Sequence, residues 1–406
     1  MVLLQFIFWI SCFLLFYNYA GYAILVKLLG AWKPRHSSPA ANTIATGAAP
    51  PATTAPAYPT ISFIVAAYNE EDCIVEKIEN SLAQEYPSDK IEFLFITDGS
   101  SDNTTALVSQ YPALRNLHQP ERKGKSAALN RAVSKATGDI LIFSDANTIL
   151  NKEAVRYIAS HYQDPGVGGV AGEKKVLASP NGAGQVGDGE GLYWKYESAL
   201  KKLDSRFYSV VGAAGELFSL RHSLYEPISE NVILDDFVSS LKVAQKGYRV
   251  LYEPNAYAME LPSFSITDER KRKIRIAAGG FQAIGILTPL LAFWKYPRLS
   301  FLYISHRVLR WTLSPLCLIL AFLTAALLCF SKAGLLYQLA FAGQLAFYGA
   351  ALATIIFPAL KERSKLAKLA YYFYFMNYSV ILGFFRFLRG RQPATWEKAR
   401  RASAEA

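Results

Sequence analysis

Cysteine is scarce in this chain: four in 406 residues, Cys12, Cys73, Cys317 and Cys329, with no two at metal-ligand spacing. That excludes a disulfide framework and a zinc site built on cysteine. Charge is absent in blocks. Residues 2–26, 312–331 and 333–360 contain no Asp, Glu, Lys or Arg, and each run is long enough to cross a bilayer as a helix. The first run lacks the basic leader and small-residue cleavage site of a secretory signal, so it reads as a retained anchor. A phosphate-binding loop is missing too. "KGKS" at 123–126 mimics its end, but the glycine required five residues before Gly124 is Gln119, which excludes an ATPase of that class.

What is present between the first apolar run and Arg275 is an ordinary water-soluble composition. Lys27, Lys33 and Arg35 follow the anchor directly, and basic flanks stay in the cytoplasm, so the soluble part is expected there. Net charge is +11. The basic clusters "ERKRKIR" (269–275), "KERSKLAK" (361–368) and "RFLRGR" (386–391) border apolar runs. Such placement points to lipid headgroups as partners and not to nucleic acid. The expected organisation is an anchor at 1–30, an Ala/Thr/Pro-rich linker at 31–59 and a cytoplasmic domain at 60–275. Interfacial helices at 276–311, C-terminal membrane helices at 312–390 and a tail at 391–406 follow.

Within the soluble domain, short β-rich runs alternate with helical stretches, which predicts a mostly parallel α/β sheet. "ISFIVAAY" ends in Tyr68-Asn69-Glu70, "IEFLFITD" in Asp98-Gly99-Ser100, and "DILIFSD" in Asp145-Ala146-Asn147. Ligands of such sheets gather at the carboxyl ends of the strands, so three polar clusters there outline a nucleotide pocket. Taken alone, Asp145 and Asn147 read first as an Asx-type turn, and their alternative is a metal-bound phosphate. Lys125, at a helix start, suits a phosphate or carboxylate. Further on come a Gly-rich loop (181–191), a helix at "YWKYESALKKL", and Gly212 and Gly215, where the backbone turns tightly or a ligand approaches. "VILDDF" is expected to end a strand on Asp235-Asp236 and open a helix. Adjacent residues point different ways, so one suits a cap and the other a general base.

Taken in order, these residues resemble the family 2 glycosyltransferases over about residues 60–285. The likeness is closest to their membrane-embedded branch of cellulose, hyaluronan and poly-N-acetylglucosamine synthases. The resemblance implies a GT-A type domain inserted between transmembrane helices. It assigns donor contacts to Ala67, Tyr68 and Glu70 in "VAAYNEE", to Asp98 in "TDGSSDNT" and to Lys125 in "KGKSAALN". "SDAN" stands where the family carries Asp-x-Asp, implying Mg or Mn on Asp145 and Asn147. "GAAGE" implies acceptor contacts at Gly215 and Glu216, and "LDD" implies Asp235 at the acceptor and Asp236 as the base. Arg272 and Arg275 in "RKIRI" fall at the Gln-x-x-Arg-Trp position and would grip the diphosphate. Two departures stand out: Asn147 replaces an aspartate, and Ile276 replaces the tryptophan associated with holding a growing polymer.

The implied activity is inverting transfer from a nucleotide sugar, a UDP-sugar by expectation, onto a β-linked polysaccharide exported through the chain's own membrane helices. The alternative is single transfer to a polyprenyl phosphate or glycolipid. A membrane scaffold with a degenerate domain is the reading outside enzymes, and it predicts loss of the strand-end acids, which are present. The expected location is the inner or plasma membrane, multi-pass. Residues 276–294 are uncharged but hold Gly279, Gly280, Gly285 and Pro289, and are expected to lie on the cytoplasmic face. Three C-terminal spans are expected, the last at 369–385. Its alternative is a re-entrant or interfacial segment, because a third span leaves the basic "RGRQPATWEKARR" outside.

Overall fold

The computed structural model describes residues 1–31, 58–177, 187–261, 266–357, 359–360 and 364–390. The linker up to residue 57, residues 181–186 of the Gly-rich loop, 361–363 of the second basic cluster and the tail from 391 lie outside the described residues. The chain opens with α1 (Val2–Phe16) and α2 (Tyr22–Ala31), then β1 (Ile61–Ala67), α3 (Ile74–Leu82), β2 (Ile91–Thr97), α4 (Thr104–Ser109) and β3 (Leu114–Asn116). It continues through α5 (Lys125–Val133), β4 (Ile140–Asp145), β5 (Ile149–Leu150), α6 (Ala154–Ser160), β6 (Val167–Val176), α7 (Gly187–Phe207) and β7 (Leu217–Arg221). Last come α8 (Asp235–Gln245), β8 (Arg249–Glu260), α9 (Ile266–Ile286), α10 (Pro297–Tyr303), α11 (Leu313–Phe330), α12 (Leu335–Ile356) and α13 (Lys365–Leu388).

The strands form one mixed sheet in the order β3-β2-β1-β4-β7-β6-β8-β5. Every residue of β1 is buried, as expected of a parallel strand covered by helices on both faces. β1 pairs in parallel with β2 and β4, and the register sets Ala67 beside Thr97 and Ala66 beside Asp145. The three expected strand ends therefore finish level. β7 returns antiparallel to β4 with Ser144 opposite Leu217. That pairing carries Gly215 and Glu216, just before β7, to the same edge where β4 finishes. The two faces of the sheet are packed separately. One core gathers Leu129, Phe143, Phe218 and Leu241 with Tyr22 of the N-terminal helix, and the other Phe63, Ile78, Ile142 and Ile158.

No strand precedes Asp235, contrary to the sequence expectation. Residues 230–234 turn, and the Ile233 N–H donates to Gln282 Oε1 at 3.0 Å instead of to a neighbouring strand. α9 runs through the expected boundary at 275–276 as one helix.

Among the described residues three helices are long and apolar enough to cross a membrane: Val2–Ala31, Leu313–Phe330 and Leu335–Ile356. α13, over the expected third C-terminal span, is 24 residues long but is not among them. It lies closely along α9, where a Cβ on Gly383 would stand 2.5 Å from the Ala277 Cβ. α2 joins α7 and the segment before α11 through a buried polar cluster. Tyr22 donates to Asp204 Oδ1 at 2.6 Å, His306 Nδ1 lies 2.7 Å from Asp204 Oδ2, and Arg307 pairs with Glu197 at 2.9 Å. Arg310 also pairs with Glu197. π-helical turns at Tyr17–Gly21 and Ile304–Val308 meet here, their Tyr17 and Ser305 hydroxyls 2.8 Å apart.

Candidate active site

Each loop at the carboxyl edge is fixed before it presents a side chain. Asn69 takes a left-handed φ of 53°, a conformation asparagine tolerates because its side chain bonds locally. Its Oδ1 accepts from the Ser101 N–H at 2.8 Å, tying the β1 and β2 ends together. The Glu70 N–H donates to Thr104 Oγ1 at 2.8 Å, and the Glu70 carboxylate accepts from Cys73 Sγ at 3.4 Å. Gly99 has φ +67°, and a Cβ there would stand 2.6 Å from the Arg122 nitrogen. Only glycine fits that approach.

Asp98 is fully buried, and its Oδ2 accepts the N–H groups of Lys123 and Gly124 at 3.1 and 2.7 Å. It thus holds the loop that starts α5. Its Oδ1 lies 3.8 Å from Arg131 and has no hydrogen-bond partner among the described residues. The loop delivers Lys125, whose ammonium meets Asp145 Oδ1 at 2.6 Å.

The centre of the site is Gly215. A Cβ there would stand 3.0 Å from Lys125 Nζ, 3.4 Å from Asp236 Oδ2 and 3.6 Å from Asp145 Oδ2. One cation and two carboxylates, from motifs 20 and 91 residues apart (145 − 125 and 236 − 145), converge on the bare Cα of Gly215, where an added methyl would crowd Lys125 Nζ. Burial raises the Asp145 carboxyl, with Lys125 opposing. Burial and then the Asp235 charge lift Asp236 to about 7. Burial alone would lower Lys125, but Asp145, Asp235 and Asp236 together raise it and keep it charged.

Asp235 and Asp236 both sit in the first turn of α8, after Leu234. Asp236 Oδ1 accepts the Phe237 N–H at 2.7 Å. Asp235 is buried, and its Oδ2 has no hydrogen-bond partner among the described residues. Arg275 lies within electrostatic reach of Asp235, Arg386 and Arg122, and burial lowers its pKa. Arg272 is elsewhere engaged: it pairs with Glu269 at 3.2 Å and Glu260 at 3.5 Å. Glu216 belongs to the same ionic group. Burial would raise its carboxyl, but Lys174 at 2.5 Å overrides this and holds it well below the usual range.

Ala67 is buried at the β1 end, so it offers backbone only. Tyr68 carries the Arg122 guanidinium 3.6 Å above its ring, a cation–π stack. Neither Arg122 nor Lys174 was singled out from sequence. Arg122 is adjacent to a motif residue, and Lys174 lies in a strand whose glycines hide any alternation.

Among the described residues no group of three or more His, Cys, Asp or Glu has metal-holding geometry. Asp145 and the half-buried Asn147 offer two oxygen-bearing side chains on one turn. That donor set fits a Mg- or Mn-type ion that takes its other ligands from a diphosphate and water, not an all-protein cage.

Residues 62–228 match the family described as Glycosyl transferase family 2. The chain is 29% identical over 231 residues to a poly-beta-1,6-N-acetyl-D-glucosamine synthase of Staphylococcus aureus, covering 55% of each chain. It is 25% identical over 242 residues to the Staphylococcus epidermidis protein of that name, covering 58% of this chain and 57% of the relative. The matches thus span about half the length of these curated relatives. The fold is similar to that of a mannosyltransferase from Pyrobaculum calidifontis solved with GDP-Man and Mn2+. The TM-score is 0.68 at 22% identity, over 96% of this chain and 100% of that one.

Proposed function

We propose that this chain, whose residues 62–228 carry a glycosyl transferase family 2 domain, is an inverting membrane glycosyltransferase. It moves a sugar from a nucleotide sugar, a UDP-sugar in this reading, onto a β-linked polysaccharide. The product leaves the cytoplasm through the chain's own membrane helices. The observation that carries the reading is the meeting of Lys125, Asp145 and Asp236 around the bare Cα of Gly215.

The chemistry asks for two things at once. Negative charge grows on the departing nucleotide diphosphate, and the acceptor hydroxyl must shed a proton as it attacks the anomeric carbon. Lys125 stays protonated among three carboxylates and stabilises the first charge where it develops. Arg275, beside Asp235, adds a second fixed positive charge at the same edge. Asp145 and Asn147 would hold a divalent ion, which, when bound, neutralises the diphosphate as a Lewis acid. Asp236, lifted to about 7, is matched to the operating pH and takes the acceptor proton, a contribution of roughly 10²–10⁴-fold. Asp235 Oδ2, buried and with no hydrogen-bond partner among the described residues, accepts a second acceptor hydroxyl. Direct attack with no covalent enzyme intermediate inverts the anomeric centre.

The strength of the reading for polysaccharide is the likeness to the two staphylococcal synthases. Single transfer to a polyprenyl phosphate or glycolipid is the second reading, favoured by Ile276 where polymer synthases carry tryptophan. Membranes containing the protein, incubated with a panel of radiolabelled UDP-sugars and GDP-mannose, separate the two. High-molecular-weight product supports the synthase, and a single-sugar lipid supports the alternative. No transfer from any donor overturns both.

A further inference from the structure

α3 presents a polar stripe to the segment that follows β4. Cys73 Sγ reaches the Ala146 carbonyl at 3.8 Å. Asn80 exchanges two 2.8 Å hydrogen bonds with Leu150, and Gln84 donates to the Asn151 carbonyl at 3.1 Å. At the middle of the stripe stands Lys77, fully buried. Its ammonium donates to Ser144 Oγ at 2.7 Å, the Thr148 carbonyl at 2.9 Å and Thr148 Oγ1 at 3.4 Å. All three N–H bonds are used, and every acceptor is a neutral oxygen flanking Asp145 and Asn147. The same oxygens extend the network. Ser144 Oγ donates to the Glu216 carbonyl at 3.0 Å, and Thr148 Oγ1 donates to the Asp145 carbonyl at 2.9 Å. A buried ammonium without a carboxylate partner is costly to fold. A leucine or methionine would fill a structural position with less penalty.

We propose that Lys77 is a positioning residue that fixes the turn carrying Asp145 and Asn147, and with it the start of β7, for a metal-bound donor diphosphate. The proposal rests on the reading of Asp145 and Asn147 as the residues that hold that group. Lys77 touches neither donor nor acceptor. Its bonds to both ends of the turn set the directions of the two side chains between them, and the Ser144–Glu216 bond transmits the same constraint to Gly215.

The test uses the full-length protein in nanodiscs and needs no turnover. UDP and GDP are titrated calorimetrically into wild type with Mn2+ or with EDTA, and the tighter nucleotide is carried into Lys77→Met. The expected result is a wild-type affinity at least tenfold tighter with Mn2+, and a variant that loses most of that gain. Affinity in EDTA stays within twofold. A merely structural lysine would change Tm and both affinities together. A variant that keeps the full Mn2+ gain overturns the Lys77 proposal and leaves the metal reading standing. A wild type with no Mn2+ gain overturns both. Should Lys77→Met not fold, Ser144→Ala, which removes one acceptor and the link to Glu216, is expected to lose about threefold of the Mn2+ gain. An unchanged gain there counts against the proposal equally.

Discussion

Replacing Asp236 with asparagine separates chemistry from folding, and the two effects run in opposite directions. Asparagine has nearly the same volume and keeps an Oδ1 to accept the Phe237 N–H, now 2.7 Å away. It cannot take a proton from an acceptor hydroxyl. Turnover should fall roughly 10²–10⁴-fold, about 3–5 kcal/mol of barrier. Stability moves the other way. Burial and Asp235 lift the carboxyl from 3.8 to about 7, so between those pH values the folded state binds more protons than the unfolded chain. Stability therefore declines as pH rises through that window, and the penalty is complete above about pH 7. The full shift corresponds to at most about 4 kcal/mol, and to ~1–3 kcal/mol once partial exposure to the cleft is discounted. The dipole benefit lost with a first-turn charge is smaller, about 0.3–1 kcal/mol. Asp236→Asn should therefore match or exceed the wild-type Tm at pH 8, with the gap closing toward pH 4. Turnover with radiolabelled donor and Tm by intrinsic fluorescence, both on full-length protein in nanodiscs, read the two effects. More than about a tenth of wild-type turnover would refute the base assignment, and a lower Tm at pH 8 would refute the electrostatic account.

The pH profile of wild-type kcat/KM should fall about tenfold per unit below pH 7 as Asp236 takes up its proton, and a flat profile from pH 5.5 to 8.5 contradicts that. Asp145→Ala should abolish transfer, whereas Asn147→Asp should keep it and tighten Mn2+ binding; full wild-type activity in excess chelator would show that no metal is needed. Gly212 has φ +84°, and a Cβ there would run into the Phe237 ring, so Gly212→Ala should cost about 2–4 kcal/mol in denaturant unfolding. A loss below about 1 kcal/mol would mean that the loop yields freely. For topology, Arg386 near the end of α13 lies within electrostatic reach of Arg275, which also feels Asp235 and Arg122, and this favours the interfacial last segment over a third C-terminal span. A C-terminal reporter should then work in the cytoplasm, and one active only outside the cell would restore the third span.

How much of this was legible in the sequence depends on how local each feature is. β1, β2 and β4 could be read because each is a continuous apolar run closed by polar residues, and those residues do line one edge. β6 could not, because "VGGVAGEKKV" has no alternation, and β8 contains Pro254. Lys77 and Lys174 carry no local signal, because the partners that bury them come 67 and 42 residues later. Arg272 is expected on the diphosphate from its place in a motif, and its pairs with Glu260 and Glu269 come from residues no motif singles out. The order of the motifs is thus a property of the sequence, and their meeting point is a property of strand pairing. Gly215 reaches Asp145 only because β7 runs antiparallel to β4 with Leu217 opposite Ser144. A slip of that register by one residue would turn every side chain of β7 to the opposite face. Every motif would survive such a slip, and the convergence of Lys125, Asp145 and Asp236 on one bare Cα would not.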